Sequence, residues 1–312
     1  MNTLAVVLQQ PRQLTLSHLP LTEAGDEDVV VDIDWSGIST GTERLLWSGR
    51  MPQFPGMGYP LVPGYESVGR IRSAGKHSGA KVGDCVFVPG AKCFGDVRGL
   101  FGGAASTVVL PGARTLAFDA SFREQGVLLA LAATAYHVSA SAGGQQPDLI
   151  VGHGVLGRMV ARIAVAAGAS PLVWETSAPR RNGAQGYEVF DPAEDSRRDY
   201  RSICDVSGDA SLLDTLISRL APGGEIVLAG FYDARLSFNF PPAFMREARL
   251  RVAAQWQPQD LVAVKELIES GRLSLDGLIT HRADAVDADS AYRTAFGDPA
   301  CLKMVLDWRG CR

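Results

Sequence analysis

Hydrophobic and polar positions divide the chain into a strand-rich front and a remainder in which strand and helix patterns alternate. Leu4-Ala5-Val6-Val7-Leu8 is a short apolar run that predicts a strand. Asp28-Val29-Val30-Val31-Asp32-Ile33-Asp34 ends in an alternation of acid and apolar residues, the two-residue period of a half-buried strand. Residues 67–72 and 81–88 predict two more strands, each bounded by glycine or proline. Many short strands set off by glycine turns predict a small irregular barrel.

The pattern changes near Asp119. Residues 122–142 are rich in alanine and leucine and predict a buried helix. Asp148-Leu149-Ile150-Val151 then predicts a short buried strand, followed by a helix over 158–167 that stops at Gly168. Residues 172–175, 202–206 and 224–229 predict further strands, with a helix over 210–220 between the last two. Strands separated by helices imply a parallel sheet covered on both faces. Val262, Leu267 and Ile268 mark an amphipathic helix in the tail, and residues 301–308 predict a last strand that returns to the first domain.

A length of 312 residues implies two domains at roughly 150 residues each. The apolar fraction of 46% and charged fraction of 21% are those of an ordinary globular protein. Thirty basic and 34 acidic side chains leave a net charge of −4 without long blocks of one sign, which excludes a nucleic-acid footprint and a polybasic membrane anchor. The uncharged stretch 126–144 contains Thr134, His137 and Gly143-Gly144 and is too polar to span a membrane. Five scattered cysteines without a C-x-x-C pair are expected to be reduced thiols. The first ten residues lack the basic and apolar regions of a secretory signal, so a cytoplasmic protein is expected.

The strongest chemical signal is Gly152-His153-Gly154-Val155-Leu156-Gly157, a G-x-G-x-x-G motif between an apolar strand and a helix. Its first glycine permits a tight turn, its second lets backbone approach a pyrophosphate, and its third allows close helix–sheet packing. Glu175, at the end of the next strand, suits the hydroxyls of an unphosphorylated ribose, which favours NAD over NADP. Arg180-Arg181 offers the competing possibility of a 2′-phosphate contact, against which stands a solvated helix start. Thr134, on the helix before the motif, is a further cofactor candidate, while His137 on the same helix fits a structural hydrogen bond better than catalysis.

The order of parts, with Ser36-Gly37-Ile38-Ser39-Thr40-Gly41-Thr42-Glu43, Pro63-Gly64-Tyr65-Glu66-Ser67-Val68-Gly69, Val82-Gly83-Asp84-Cys85-Val86, Ala133-Thr134-Ala135-Tyr136-His137 and Leu278-Ile279-Thr280-His281, resembles the medium-chain alcohol dehydrogenases over nearly the whole length. The resemblance implies an α/β fold: a GroES-like β-barrel catalytic domain over 1–122 and 272–312, and a Rossmann domain with a doubly wound parallel sheet over 123–271. A homodimer is the expectation by analogy with such relatives. Where the zinc-dependent members carry cysteine, histidine and cysteine as metal ligands, this chain has Ser39, Tyr65 and Ala130, and only Glu66 remains as a possible ligand. Hydroxyls and an alanine do not replace thiolate and imidazole in a tetrahedral zinc site, so no metal is expected. The four-cysteine structural lobe is absent too, since Cys93 is the only cysteine between Val86 and Leu110.

Trp47-Ser48-Gly49-Arg50-Met51-Pro52, the run from Phe54 to Glu66, Gly99-Leu100-Phe101-Gly102-Gly103-Ala104, the run from Pro241 to Arg249 and Ala254-Gln255-Trp256-Gln257-Pro258 are similar to one branch of that family. That branch oxidises the 3-(1-hydroxyethyl) group of a bacteriochlorophyllide-type macrocycle to acetyl. Without zinc, hydrogen-bonding side chains must manage the hydroxyl proton. Ser39, Thr42, Tyr65 and Glu66 are the candidates, with Tyr65 as direct acceptor or packed in the core, and Glu66 as base, as orienting group or in an ion pair. Trp47, Met51, Phe54, Met57 and Tyr59 sit in a loop rich in proline and glycine, where core packing explains them poorly; they are read as lining an apolar cleft for the macrocycle, with a loop packed on the barrel or a dimer contact as the alternatives. Trp256, with Phe244 and Met245, is a candidate second wall, and Arg246, Arg249 or Arg50 a candidate partner for a propionate. Two other readings stay open: a zinc-free quinone or enoyl reductase, and a dinucleotide- or pigment-binding protein without chemistry.

Overall fold

The computed structural model describes residues 1–141 and 143–311. It forms two compact units, Met1–Ala130 with Leu278–Arg312, and Leu131–Gly277.

The first unit is organised by the strand Asp28–Ile38. One edge of this strand pairs antiparallel with Ser67–Ala74. Its other edge is divided: Thr107–Pro111 pairs with residues 28–32, and the tail strand Met304–Asp307 pairs with residues 35–38. The tail is thus a strand of the first unit's sheet. Its Met304, Leu306 and Trp308 share one buried apolar core with Val29, Val31 and Ile33. The Trp308 indole N–H donates to Ser36 Oγ at 2.8 Å, which gives the buried indole its partner. The acids that create the alternation also keep partners, since Asp32 accepts from Thr107 and pairs with Arg72 at 3.2 Å. A second sheet contains Asn2–Gln10, Gln13–Pro20, Leu61–Val62 and Arg98–Gly99.

The second unit carries six parallel strands: Leu149–Val151, Leu172–Trp174, Glu188–Phe190, Tyr200–Asp205, Leu220–Leu228 and Arg249–Val252. Their spatial order is third, second, first, fourth, fifth, sixth. This is the doubly wound order, which places a ligand crevice beyond the carboxyl ends of the first and fourth strands.

Several elements differ from the sequence expectation, three of them for a clear local reason. Residues 81–84 form a turn, and the strand begins at Cys85, because Gly83 takes φ +91° and the Asp84 carboxylate accepts the Lys81 N–H. The helix expected from 122 is α-helical only over Leu129–Ala140. Before it lies a 3-10 segment, Ala120–Leu128, with Asp119 capping Ser121 N–H and Arg123 at φ +47°; position 142 lies outside the described residues. The helix after the glycine motif starts at Val155 rather than Arg158, because Gly154 serves as its N-cap.

Candidate functional site

Strand register builds the first cluster. Ser36 stands opposite Ser67 in the antiparallel pair, so continuing both strands brings Ser39 beside Tyr65. The Ser39 and Tyr65 hydroxyls are 2.7 Å apart, and Thr42 lies near enough to favour ionisation of the Tyr65 phenol. Ser39 is buried; Thr42 and Tyr65 are half-buried. Burial, with the Glu66 carboxylate adding to it, pushes the Tyr65 phenol well above its ordinary range against the pull of the two hydroxyls. The Phe101 ring meets Tyr65 edge to face at 5.6 Å and is 37% exposed.

Beside this cluster lie two buried acids, one of them paired with a lysine. Glu66 is fully buried, with Oε2 accepting from Lys303 Nζ at 2.5 Å; Lys303 also donates to the Ile38 carbonyl at 3.2 Å. Gly37 makes room for the carboxylate, since a Cβ there would lie 2.4 Å from Glu66 Oε2. Burial raises the Glu66 carboxyl and Lys303 opposes the rise. Glu43, on the short helix Thr42–Ser48, accepts the Ser39 main-chain N–H at 3.1 Å and the Tyr292 hydroxyl at 2.6 Å. Its pKa is pushed up to about 7 by burial, with the Glu66 charge adding to the rise. Glu66 thus faces Lys303, and among the described residues no hydrogen bond joins it to Tyr65.

The donor set here does not fit zinc. Ser39 and Tyr65 supply neutral hydroxyls already bonded to one another, Ala130 supplies nothing, and Glu66 is engaged by Lys303. Among the described residues no three His, Cys, Asp or Glu side chains converge.

The apolar loop is arranged differently from expectation. Met51 is buried in a cluster with Leu8, Leu46, Leu61 and Leu100, and Trp47, Phe54, Met57 and Tyr59 pack against it. The Tyr59 hydroxyl donates to the Leu46 carbonyl. Packing on the barrel, one of the readings the sequence left open, accounts for these five residues, because the loop folds back over an apolar patch that two strands and the short helix leave uncovered. A cleft of about 480 Å³ in the same unit, lined by Trp35, Phe122, Arg123, Arg282, Asp307 and Arg309 among others, contains none of the hydroxyl cluster. Arg282 and Arg309 are occupied there by Glu124 and Asp307.

In the second unit, Gly152 takes φ +104°, and a Cβ on Gly157 would lie 1.9 Å from the Gly152 carbonyl oxygen. Gly154 faces open space. The helix Val155–Ala166 starts without a side-chain cap, so its first N–H groups remain available to an anion. Val155 is buried and Leu156 half-buried. Glu175 Oε2 accepts the His153 main-chain N–H at 3.1 Å and Oε1 accepts that of Ser177 at 2.8 Å. The buried His153 ring bonds the Arg180 carbonyl through Nδ1 at 2.6 Å and the Tyr187 hydroxyl through Nε2 at 2.8 Å. Burial lowers its pKa to about 4, so the ring is neutral at pH 7: Nδ1–H donates to the carbonyl, and Nε2 accepts from Tyr187. Arg181 pairs with Asp191 at 3.2 Å.

Thr134 is half-buried on the helix Leu129–Ala140, and His137 on that helix bonds Asp260 at 2.7 Å. Arg246 is half-buried and donates to the Leu220 and Ser218 carbonyls at the end of the helix Leu213–Arg219; Trp256 is also half-buried. Sequence reasoning missed Phe101, Glu43, Lys303, Tyr292, Arg158 and Tyr187. Lys303 carried a usable signal, as a lone charge in the otherwise apolar run from Cys301 to Leu306. Glu43 carried none, since its partner Tyr292 lies 249 positions away.

Comparison with known proteins identifies relatives of this chain. Residues 25–120 match the alcohol dehydrogenase GroES-like domain. The chain is 58% identical to the 2-desacetyl-2-hydroxyethyl bacteriochlorophyllide A dehydrogenase of Cereibacter sphaeroides, over 99% of both chains. It is 56% identical to the protein of that name from Rhodobacter capsulatus, over 100% of both. Among solved structures, Escherichia coli L-idonate 5-dehydrogenase superposes with a TM-score of 0.86 at 18% identity, covering 98% of each chain. An alcohol dehydrogenase from E. coli CFT073 complexed with NADH gives 0.83 at 19% identity, covering 98% of this chain and 99% of that one.

Proposed function

The chain belongs to the bacteriochlorophyllide hydroxyethyl dehydrogenase family, within the medium-chain alcohol dehydrogenases, and from that premise we propose that it oxidises the 3-(1-hydroxyethyl) group of a bacteriochlorophyllide to 3-acetyl in bacteriochlorophyll biosynthesis. The observation that carries the reading is the Ser39–Tyr65 hydroxyl pair, 2.7 Å apart, at positions where the family resemblance implies metal ligands in zinc-dependent members.

The cofactor is a nicotinamide dinucleotide, as in the solved relatives bound to NADH and NADP, and it supplies the hydride acceptor. Glu175 supports NAD as the preferred form, because a fixed carboxylate suits ribose hydroxyls and repels a 2′-phosphate. The glycine turn and the free N–H groups at Val155 suit the pyrophosphate. The proton follows a separate route. Because the Tyr65 phenol resists ionisation, it accepts the carbinol proton while handing its own to Ser39, so no phenolate is stored. Ser39 in the same step releases its own proton to water, so no hydroxyl is left charged. Glu66 acts in this reading through Lys303, fixing the strand ends that carry Ser39 and Tyr65. The exposed edge of Phe101 offers an apolar contact for a flat macrocycle beside the reacting group. The donor set supports a reaction without zinc, and the chain's composition supports a cytoplasmic location.

A homodimer completes the proposal. The strand Arg249–Val252 closes one end of the parallel sheet, and among the described residues no strand pairs its outer edge. Val252 on it is 74% exposed and Leu250 40%. An open apolar edge of this kind favours pairing with an identical edge.

The test mixes purified protein, NAD and a 3-(1-hydroxyethyl) bacteriochlorophyllide. Conjugation of the new acetyl group shifts the long-wavelength absorption band to the red as NADH forms. An unchanged spectrum, with NADPH-dependent reduction of a quinone or enone instead, overturns the assignment.

A further inference from the structure

Arg158 is a cation in a place where a cation is costly. It follows the third glycine of the motif on the helix Val155–Ala166 and is 5% exposed. Its partners are four main-chain carbonyls. Nε donates to His153 at 3.1 Å, Nη1 to Gly183 at 3.2 Å, and Nη2 to Arg180 at 2.9 Å and Asn182 at 2.7 Å. One guanidinium therefore joins the glycine turn to residues 180–183. His153 makes the same connection from the other side through its Nδ1–H and the Arg180 carbonyl. Its own main-chain N–H holds one oxygen of Glu175.

Gly183 is shaped to this contact. It takes φ +83°, and a Cβ there would lie 2.4 Å from Arg158 Nη1. Only glycine at that position combines the left-handed turn with room for the guanidinium. Burial lowers the guanidinium's proton affinity, yet an arginine stays charged in proteins, so the carbonyl dipoles must compensate the charge.

We infer that Arg158 is a positioning residue for dinucleotide discrimination, which clamps the turn at 180–183 to the glycine loop and so holds Glu175 in the arrangement that receives an unphosphorylated ribose. The inference rests on the proposed preference for NAD. A carboxylate held by two main-chain N–H groups discriminates only while the segments carrying those groups stay in register. Releasing the clamp lets the segment that bears Arg180 and Arg181 move relative to Glu175, and the choice between ribose and ribose 2′-phosphate relaxes.

Two variants test this. Arg158→Lys keeps the charge but cannot span four carbonyls. Gly183→Ala leaves Arg158 in place and displaces its guanidinium. Calorimetric titration with ADP-ribose and 2′-phospho-ADP-ribose gives the discrimination without turnover, and steady-state kinetics give KM and kcat for NAD and NADP. In each variant the Kd for ADP-ribose is expected to rise about tenfold or more, the loss typical of charged hydrogen bonds, and the ratio of the two affinities to narrow. The kcat at saturating NAD is expected to stay within about twofold, because uniform binding is what is lost. A purely structural role would lower the folded fraction and leave the ratio of affinities intact. If Arg158→Lys does not fold, Gly183→Ala carries the same measurement. A parent that binds ADP-ribose, with a ratio retained in the variants, overturns the clamp alone. A parent that prefers the 2′-phosphorylated ligand overturns the NAD reading beneath it.

Discussion

Tyr65 joins a 2.7 Å hydrogen bond to a phenol whose ionisation is suppressed by burial. That combination suits a relay rather than a store of charge. Tyr65→Phe keeps the ring against Phe101 and removes only the hydroxyl. Its kcat with the macrocycle is expected to fall by about 10²–10⁴, the usual contribution of a positioned proton-transfer group, with NAD binding unchanged. Turnover within about threefold of the parent, far short of that loss, sinks the relay. Glu43 makes a stability prediction. It keeps its proton up to about pH 7 in the fold, against an ordinary value of 4.5. Between those values the native state binds more protons than the unfolded chain, so the Glu43 contribution to stability falls as pH rises through the window and levels off above it. Glu43→Gln removes this dependence. Urea unfolding at intervals from pH 4.5 to 7.5 is expected to show a smaller loss of stability in the variant than in the parent. Parallel curves for the two proteins exclude the buried proton.

The glycine turn and the helix Val155–Ala166 behave as one element, because Gly157 packs directly on the carbonyl of Gly152. Gly157→Ala forces a methyl into a 1.9 Å gap to main chain, which must move. Overpacking of this sort typically costs about 1–3 kcal/mol, and here it also displaces the turn meant for the pyrophosphate. The expected result is at least about tenfold weaker NADH binding by fluorescence titration, as an equivalent shift of about 1.4 kcal/mol implies. Binding equal to the parent's shows that the turn tolerates the methyl and that dinucleotide contact lies elsewhere. The strand–turn–helix order was legible because apolar runs and glycines repeat at their local periods. The turn at 81–84 and the 3-10 stretch Ala120–Leu128 were not. Each depends on a side chain of Asp84 or Asp119 capturing a nearby main-chain N–H, a local competition that apolar periodicity does not record.

At the scale of the whole molecule, the open edge at Arg249–Val252 predicts association. Val252→Lys places a charge on that edge and is expected to convert a dimer to monomer in sedimentation analysis, with the far-ultraviolet spectrum preserved. A parent that already sediments as a monomer contradicts the proposed dimer. The hydroxyl cluster predicts that the purified protein carries less than stoichiometric zinc and keeps its activity after chelation. One tightly held zinc per chain, with activity lost on its removal, contradicts the zinc-free reading.

Local pattern determined the β-rich front, the parallel α/β remainder and the glycine turn, and the resemblance to medium-chain alcohol dehydrogenases added the expectation that Ser39, Tyr65 and Ala130 stand in place of metal ligands. These are legible because secondary-structure period, turn chemistry and ligand chemistry belong to single residues or short runs. The partners of those residues were decided only by the fold. Glu66 meets Lys303, Glu43 meets Tyr292, and Arg158 meets the carbonyls of the 180–183 turn. The loop at 47–59 likewise turned its apolar side chains onto Leu8, Leu61 and Leu100. The tail strand Met304–Asp307 carries Lys303 to the edge of Asp28–Ile38, joining segments 237 positions apart at Glu66. A charge's cost in water is small and in a core is large, so burial and pairing, which are tertiary quantities, decide whether a given acid is a base, a proton store or a strut.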